Sequence, residues 1–162
     1  MHLTTARLIL RDAVRGDSLL LSEYQSHPEY LKHYSSTPDA VSIVNQAIAW
    51  AAETPRRNYQ LVIEHSELGL VIGCVGLRQH GKEEGMADVG IELAPKHWGK
   101  GYASEAIREL VRFGSSALNI RTIESETAPD NDRAHKLLES LGFTYKQSFM
   151  NQSVFQAHVN DD

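Results

Sequence analysis

The stretch "LAPKHWGKGYASEAIRELV", residues 93–111, places two glycines and a lysine directly before a run with helical periodicity. A helix start has unpaired backbone N–H groups and partial positive charge, and glycine lets an anion approach them. The stretch therefore predicts a loop and an amphipathic helix with an anion site at their junction, the alternative being an ordinary strand-to-helix turn. The buried face of this helix would carry the small and apolar residues that recur at three- and four-residue steps: Ala103, Ala106, Ile107, Leu110, Val111, Gly114 and Leu118.

Length, charge and cysteine content limit the class of protein. With 162 residues the chain has the size of one domain, and we expect a single domain over residues 1–162. A formal net charge of -5 gives no basic face overall, so nucleic acid is not expected as a partner. The apolar runs are too short for a signal peptide or a transmembrane helix, so we expect a cytoplasmic protein with no membrane partner. The single cysteine, Cys74, fits a reducing compartment.

The residues before the glycine loop alternate between strand and helix patterns. A longer helix is expected at 39–53, with Asp39 as its cap and Val41, Val44 and Ile48 on its buried side. The other elements predicted here are strands at 7–13, 59–65, 69–80 and 86–94 and short helices at 17–24 and 28–34.

The residues after the amphipathic helix predict three more strands and one more helix. A strand at 120–128 is followed by a helix at 129–143, for which we expect Asp130 as the cap, Gly142 at the end and Phe143 covering that end. Strands at 143–150 and 153–159 then form a hairpin around "NQ", residues 151–152. The fold class is α+β, or mixed α/β, with six or seven strands.

This order of elements resembles the GNAT superfamily of acetyl-CoA-dependent N-acetyltransferases. The resemblance rests on "WGKGYASEA" at 98–106, on "N-x-x-A" from Asn131 and on "LGF" at 141–143. The superfamily loop has Gln or Arg, two residues, Gly, one residue, then Gly or Ala, and it aligns to Trp98, Gly101 and Ala103. Trp98 departs from the usual polar residue, which we interpret as a feature of the RimJ/RimL-type branch. That branch is also indicated by "TTARLILRDA" at 4–13.

The resemblance implies a GNAT fold, a mostly antiparallel sheet with a splayed strand pair and flanking helices, and acetyl-CoA as co-substrate without a metal. The pyrophosphate would lie on the N–H groups of the loop, and the strand before it would pair with the amide-rich arm of the coenzyme. Walker-type and dinucleotide patterns fit the loop less well. The coenzyme-binding residues implied are Ile91, Glu92, Leu93, Trp98, Gly99, Lys100, Gly101, Tyr102, Ala103, Ser104 and Asn131.

Acetyl transfer to an amine requires a group that accepts the ammonium proton. Asp88 and Glu92 lie four residues apart and therefore share one face of the predicted strand. Asp88 is the first candidate, because the resemblance implies an acidic residue at this place, and Glu92 is the second. Glu124 and Glu126 are weaker candidates, and a solvated surface carboxylate is the alternative for each of them.

Protonation of the leaving thiolate has no evident donor. The superfamily often has tyrosine where this chain has Leu138, and the RimJ/RimL-type branch often has serine where it has Ala134. Tyr102, Tyr145 and His135 are weak substitutes. Cys74 lies between apolar strand residues, so we expect it to be inert and not an acetyl carrier.

These observations predict transfer of acetyl to a primary amine, either a small molecule or a protein N-terminus, by direct attack in a ternary complex. A catalytically inactive acyl-CoA-binding module and a nucleotide-binding protein are the alternatives. Tyr24, Tyr30 and Tyr34 are near the expected acceptor side and Trp50 is on an apolar helix; a substrate-pocket lining and ordinary packing are the alternatives for these aromatic residues, and the acceptor segment carries no readable motif. The final hairpin offers an edge for a homodimer, and the oligomeric state is otherwise open.

Overall fold

The computed structural model describes residues 1–32 and 39–159. Within them, eight strands form one sheet in the order β1-β2-β3-β4-β5-β6-β8-β7. The strands are β1 (His2–Thr4), β2 (Leu8–Asp12), β3 (Asn58–His65), β4 (Leu70–Arg78), β5 (Met86–Leu93), β6 (Thr122–Thr127), β7 (Thr144–Phe149) and β8 (Gln152–His158). The helices are α1 (Asp17–Gln25), α2 (Pro28–Leu31), α3 (Ala40–Ala51), α4 (Tyr102–Leu118) and α5 (Asp132–Ser140), with a 3-10 turn at Pro95–His97.

Neighbouring strands are antiparallel except for β5 and β6, which are parallel and connected by α4. This pair is short. Its register runs from Met86 opposite Thr122 to Asp88 opposite Glu124, although both strands continue beyond those residues. The predicted mixed α/β fold with a splayed strand pair is therefore confirmed.

Helices cover both faces of the sheet. On one face, Val75, Leu77 and Val89 pack with Ile107 and Leu110 of α4. On the other face, α1 and α3 form a second core with residues of β3 and β4, which include Val62 and Cys74. The second face remains open beside these helices, and that opening becomes part of the site described below.

Two expectations about the first half of the chain are wrong in detail. The sheet has eight strands, not six or seven, because His2–Thr4 forms an edge strand against β2 that is too short for a readable alternation. Val41 of α3 is 58% exposed, and the buried face of that helix carries Ala40, Val44 and Ala47. The predicted Asp39 cap is confirmed, since its side chain accepts hydrogen bonds from the N–H groups of residues 41 and 42. The helix predicted at 28–34 ends at Leu31, and Tyr34 lies outside the described residues.

Helix α5 is capped by Asn131, which corrects the expected cap at Asp130. The Asn131 side chain accepts a hydrogen bond from the Ala134 N–H at 3.1 Å. The other end matches the expectation. Gly142 has a φ of 85°, the Phe143 N–H donates to the Leu138 carbonyl at 3.0 Å, and Phe143 is buried.

The final hairpin turns at Met150 and Asn151, one residue earlier than expected. Phe149 pairs with Gln152, so the loop between the strands has those two residues, with φ values of 45° and 61°. Consecutive positive φ angles are the geometry of a tight hairpin turn that follows strand twist. The sequence signal was weak because the asparagine occupies the second loop position, where glycine is usual.

No helix within the described ranges is long and apolar enough to cross a membrane.

Candidate active site

The loop between β5 and α4 holds two residues in the left-handed region, Gly99 with φ 74° and Gly101 with φ 81°. Gly101 is the N-cap of α4, and no side chain caps this helix. The N–H of Glu105 donates to the Gly101 carbonyl at 3.1 Å, so the N–H groups of residues 102–104 precede the first helical hydrogen bond. The loop thus presents uncapped donors at the positive end of a 17-residue helix.

The glycines are needed for a reason that the sequence did not reveal. A Cβ atom at Gly99 would meet nothing within 4 Å, and one at Gly101 would meet only Arg7 Nη2, at 3.4 Å. The space inside the protein therefore does not by itself require glycine at either position. Their positive φ angles do, because L residues are strained there.

Arg7 holds this loop from the side of β2, a contact that sequence reasoning missed. Its Nη1 donates to the Lys100 carbonyl at 3.0 Å, and its Nε donates to Glu105 Oε2 at 2.8 Å. The guanidinium carbon also lies 4.5 Å from the centre of the Tyr102 ring. These contacts fix the conformation of the loop before any ligand arrives.

The side chain of Tyr102 contacts His65 inside the protein. Its hydroxyl lies 3.0 Å from His65 Nε2. The ring of His97 lies 6.2 Å from the Tyr102 ring, and burial, together with Lys100 and Lys96, lowers the pKa of His97. The side chain of Tyr102 therefore anchors the first turn of α4, and its contribution to a coenzyme site would come through its backbone.

Trp98 connects the loop to two other elements. Its indole Nε1 donates to the carbonyl of Leu93, the last residue of β5, at 2.8 Å. The guanidinium carbon of Arg133, on α5, lies 3.9 Å from the centre of the Trp98 ring. Sequence analysis did not single out Arg133, because the stacking that places it depends on the approach of α5 to the loop.

A cavity of ≈ 360 Å³ lies between β5, the loop and the start of α5. It brings together six of the expected coenzyme-binding residues: Ile91, Glu92, Leu93, Trp98, Ala103 and Asn131. Arg133 also lines it and contributes positive charge. The other expected residues, Gly99, Lys100, Gly101, Tyr102 and Ser104, lie on the loop and the first turn of α4 outside this lining.

A larger cavity of ≈ 860 Å³ occupies the gap where β5 and β6 separate. The Ala94 N–H donates to the Ile72 carbonyl and therefore faces β4. Along a strand, successive residues direct their backbone N–H and C=O groups to opposite edges. The backbone groups of Ile91 and Val89 therefore face the gap. Both cavities are lined by Ile91 and Glu92, so they adjoin each other at this point of β5.

Glu92 accepts hydrogen bonds from four side chains of the described ranges. Its Oε1 accepts from the Tyr24 hydroxyl at 2.8 Å, Gln25 Nε2 at 2.7 Å and Cys74 Sγ at 3.2 Å, and its Oε2 accepts from the Tyr30 hydroxyl. Burial, reinforced by Glu92, raises the pKa of Cys74, and burial with the nearby Cys74 and Glu92 raises the pKa of Tyr24. Both groups therefore keep their protons near neutral pH and continue to donate to the carboxylate.

Asp88 forms an ion pair with Arg78. The Nε and Nη2 atoms of Arg78 lie 2.8 Å and 2.5 Å from Asp88 Oδ2. Arg78 and Glu92 line the larger cavity, but Asp88 does not. Of the weaker candidates, Glu124 pairs with Lys82 at 2.9 Å, and Glu126 is exposed and lines the cavity.

The structure supplies no hydroxyl at the usual thiolate-donor places. Ala134 and Leu138 line the larger cavity, as the alignment implied. The three weak substitutes lie outside both linings. Tyr102 contacts His65, Tyr145 contacts Ser148, and His135 contacts the Ala128 carbonyl. Among the described residues no cluster of three or more His, Cys, Asp or Glu side chains suits a metal ion.

Comparison with known proteins identifies the family. The profile of the acetyltransferase (GNAT) domain matches residues 7–144. An uncharacterized N-acetyltransferase, p20, from Bacillus licheniformis is 34% identical over 149 residues, which are 87% of this chain and 81% of the relative. The chain therefore belongs to the GNAT acetyltransferase family, and it is an acetyl-CoA-dependent acetyltransferase.

Solved structures agree on the fold. An acetyltransferase from Agrobacterium tumefaciens superposes with a TM-score of 0.82 at 24% identity, covering 98% of this chain and 95% of the other. A microcin self-immunity acetyltransferase in complex with acetyl-CoA and AMP superposes with a TM-score of 0.77 at 18% identity, covering 96% and 94% of the two chains.

Replacing Gly101 by alanine tests the loop. The positive φ should cost about 1–2 kcal/mol of stability, and the shift of the α4 N–H groups should weaken acetyl-CoA binding about tenfold or more, measured by calorimetry. Gly69→Ala is the matched control, because Gly69 has a φ of +62° in the β3–β4 turn with open space around its Cβ position. It should cost similar stability and leave the affinity unchanged. Equal affinities for the two variants would remove the loop from the coenzyme site.

Proposed function

We propose that this chain transfers the acetyl group of acetyl-CoA to a primary amine while both substrates are bound, and that residues 1–162 act as one catalytic domain. The observation that carries the proposal is that two adjoining cavities share Ile91 and Glu92 in their linings. One cavity reaches the uncapped start of α4, and the other opens on the face of β5 that carries polar side chains. Two substrates entering from these sides would meet at the middle of β5.

The smaller cavity has the chemistry of a coenzyme site. The N–H groups at the start of α4 and the Arg133 guanidinium suit a pyrophosphate, which is an anion. The backbone of Ile91, turned toward the gap, suits the amide groups of a pantetheine arm. When bound there, acetyl-CoA supplies an activated thioester, and N–H groups of β5 would stabilise charge that develops on its carbonyl oxygen.

Glu92 is the better placed of the two carboxylates to accept the ammonium proton, directly or through water. It lines both cavities where the substrates would meet. Three of its four donors bind Oε1, and the Tyr30 hydroxyl binds Oε2, so Oε2 is the less occupied oxygen. Asp88, the first candidate from the sequence, binds Arg78 and lies outside both linings. In this proposal Asp88 is a positioning residue that orients the Arg78 guanidinium.

The leaving thiolate receives no proton from α5, since Ala134 and Leu138 face the cavity there. Among the described residues, the hydroxyl side chains that line this cavity are Ser125 and Thr127, both on β6. Solvent or one of these hydroxyls would supply the proton. The same lack of a usual donor favours the second candidate function, a regulatory module that binds acyl-CoA without turnover.

Four further statements stay predictions from the sequence. They are membership of the RimJ/RimL-type branch, a cytoplasmic location, the absence of nucleic-acid and membrane partners, and the homodimer option at the final hairpin.

Exchanging each carboxylate for its amide separates the two candidates. Glu92→Gln should lower kcat by about a hundredfold or more and remove the ascending limb of the pH profile of kcat/KM. Asp88→Asn should keep that limb and act mainly on the KM of the acceptor. The measurement is thiol release with one accepted amine, with acetyl-CoA affinity as the folding control. The reverse pattern would assign the base to Asp88, and full activity of both variants would exclude a carboxylate base on β5.

Cys74 should take no part in group transfer. Because burial raises its pKa, iodoacetamide at pH 8 should alkylate the folded chain about tenfold more slowly than the urea-unfolded chain. Alkylation should accelerate only as the pH rises well above the usual thiol range. Cys74→Ser keeps a donor to Glu92 and should retain most turnover. Because Cys74 is the single cysteine, an acetyl adduct on it is the part of the intact-mass shift after exposure to acetyl-CoA that the wild-type chain shows and Cys74→Ser does not. An acetyl adduct at Cys74 that an amine then removes would contradict the direct mechanism.

A further inference from the structure

Arg78 lies flat on the open face of the sheet. Gly76 of β4 pairs with Gly90 of β5, and both glycines lie under its guanidinium. A Cβ atom at Gly76 would come within 2.6 Å of Arg78 Nη1, and one at Gly90 within 2.8 Å of Nη2. The absence of side chains at these two positions therefore makes the room in which the guanidinium rests.

The orientation of this guanidinium is fixed by two partners. Asp88 receives the Nε–H and one N–H of Nη2, and Gln60 Oε1 lies 3.1 Å from Nη1. Within the described residues, these contacts leave the second N–H on each terminal nitrogen for another acceptor. Arg78 lines the larger cavity and its side chain is 30% exposed, so an anion in that cavity can reach these donors.

Two carboxylates line the same cavity as Arg78. Glu92 lies two residues beyond Gly90 along β5, which corresponds to about 7 Å, and its side chain is on the same face. Glu126, exposed on β6, also lines the cavity. The cavity thus offers the N–H donors of the Arg78 cation and the carboxylates of Glu92 and Glu126. A small molecule that carries one negative and one positive charge can bridge the distance between them.

Resting on the proposed function, we propose that the acceptor is a zwitterion: a small amine that carries a carboxylate close to its amino group, as an amino acid does. Arg78 would bind the carboxylate with two parallel hydrogen bonds, and the amino group would then lie toward Glu92 at the junction of the cavities. Asp88 and Gln60 hold the guanidinium plane in place, so little conformational entropy is lost on binding.

Other amine classes fit this charge arrangement less well. A polyamine would bring a second ammonium group near Arg78, and like charges at this distance repel. A protein N-terminus would place a neutral amide where the donors of Arg78 need an anion.

The first experiment compares matched acceptors with the wild-type chain. Free L-amino acids, the corresponding amino-acid amides, putrescine, spermidine and a short peptide are each supplied with acetyl-CoA, and kcat/KM is measured by thiol release. The free acid should exceed its own amide by about tenfold or more for at least one side chain, mainly through KM. Turnover of amides, polyamines or the peptide at equal or higher efficiency would overturn the zwitterion while leaving the proposed acetyl transfer intact. Binding of acetyl-CoA without transfer to any class would overturn both.

The second experiment assigns the preference to Arg78. Arg78→Gln should reduce the ratio of acid to amide efficiency to near one and leave the affinity for acetyl-CoA unchanged. Because this change leaves Asp88 without its partner, the double variant Arg78→Gln with Asp88→Asn is made alongside, and its ratio should be similarly low. A merely structural arginine would lower both efficiencies equally and preserve the ratio, which would overturn the assignment.

Lys82→Gln provides the matched control. Lys82 is a nearby cation paired with Glu124 at 2.9 Å, and it lines neither of the two cavities that meet at Glu92. Its replacement removes one positive charge without touching the donors on the sheet face, so the ratio of acid to amide efficiency should stay at the wild-type value. A fall in the ratio equal to that of Arg78→Gln would mean that overall charge, and not the Arg78 hydrogen bonds, sets the preference.

Discussion

The end of pairing between β5 and β6 is the constraint on which the site depends. The two strands share hydrogen bonds only as far as Asp88 and Glu124, and both then continue apart. Beyond Asp88, the edge of β5 that faces the gap has no strand from the described part of the chain beside it. Backbone N–H and C=O groups need partners, so a peptide-like ligand can complete the sheet there. The cavity in this gap, the uncapped start of α4 and the face of polar side chains all lie around that separation. A continuous sheet would have closed the space.

A chain of hydrogen bonds crosses the sheet face beside the gap. It runs from Asp88 to Arg78 and Gln60, then from Gln60 Nε2 to Cys74 Sγ at 3.2 Å and from Cys74 to Glu92. The group proposed to bind the acceptor's carboxylate and the group proposed to accept its proton therefore belong to one network. Such networks fix the orientation of each member, because moving one group leaves a neighbour unpaired in a low-dielectric region. This explains how the polar face of the site, assembled from three strands and two short helices, can be ordered before substrates arrive.

The prediction from the sequence succeeded where a local pattern has one structural meaning. The periodicity of α4, the alternation of the central strands, the cap at Asp39 and the end of α5 at Gly142 are local, and the structure has all of them. It was wrong where two neighbouring residues could serve the same purpose. Both Asp130 and Asn131 are good cap residues, and the choice depends on where the chain leaves β6. The turn at Met150 and Asn151 likewise depends on the register of β7 against β8, which distant contacts decide.

The sequence by itself determined the family, and it indicated the glycine loop and the carboxylates of β5 as candidate site residues, because all of these lie in contiguous segments whose spacing is readable. Only the tertiary structure decided what each carboxylate touches. Asp88 meets Arg78 because β4 and β5 are antiparallel in one register, and Glu92 meets Tyr24 and Tyr30 because α1 and α2 pack on that face. Arg7 and Arg133 reach the loop in the same way, from segments far away in the chain. Side-chain partners set the chemistry of a charged group, and the partners here come from elements whose approach is determined by packing of the whole sheet and its helices.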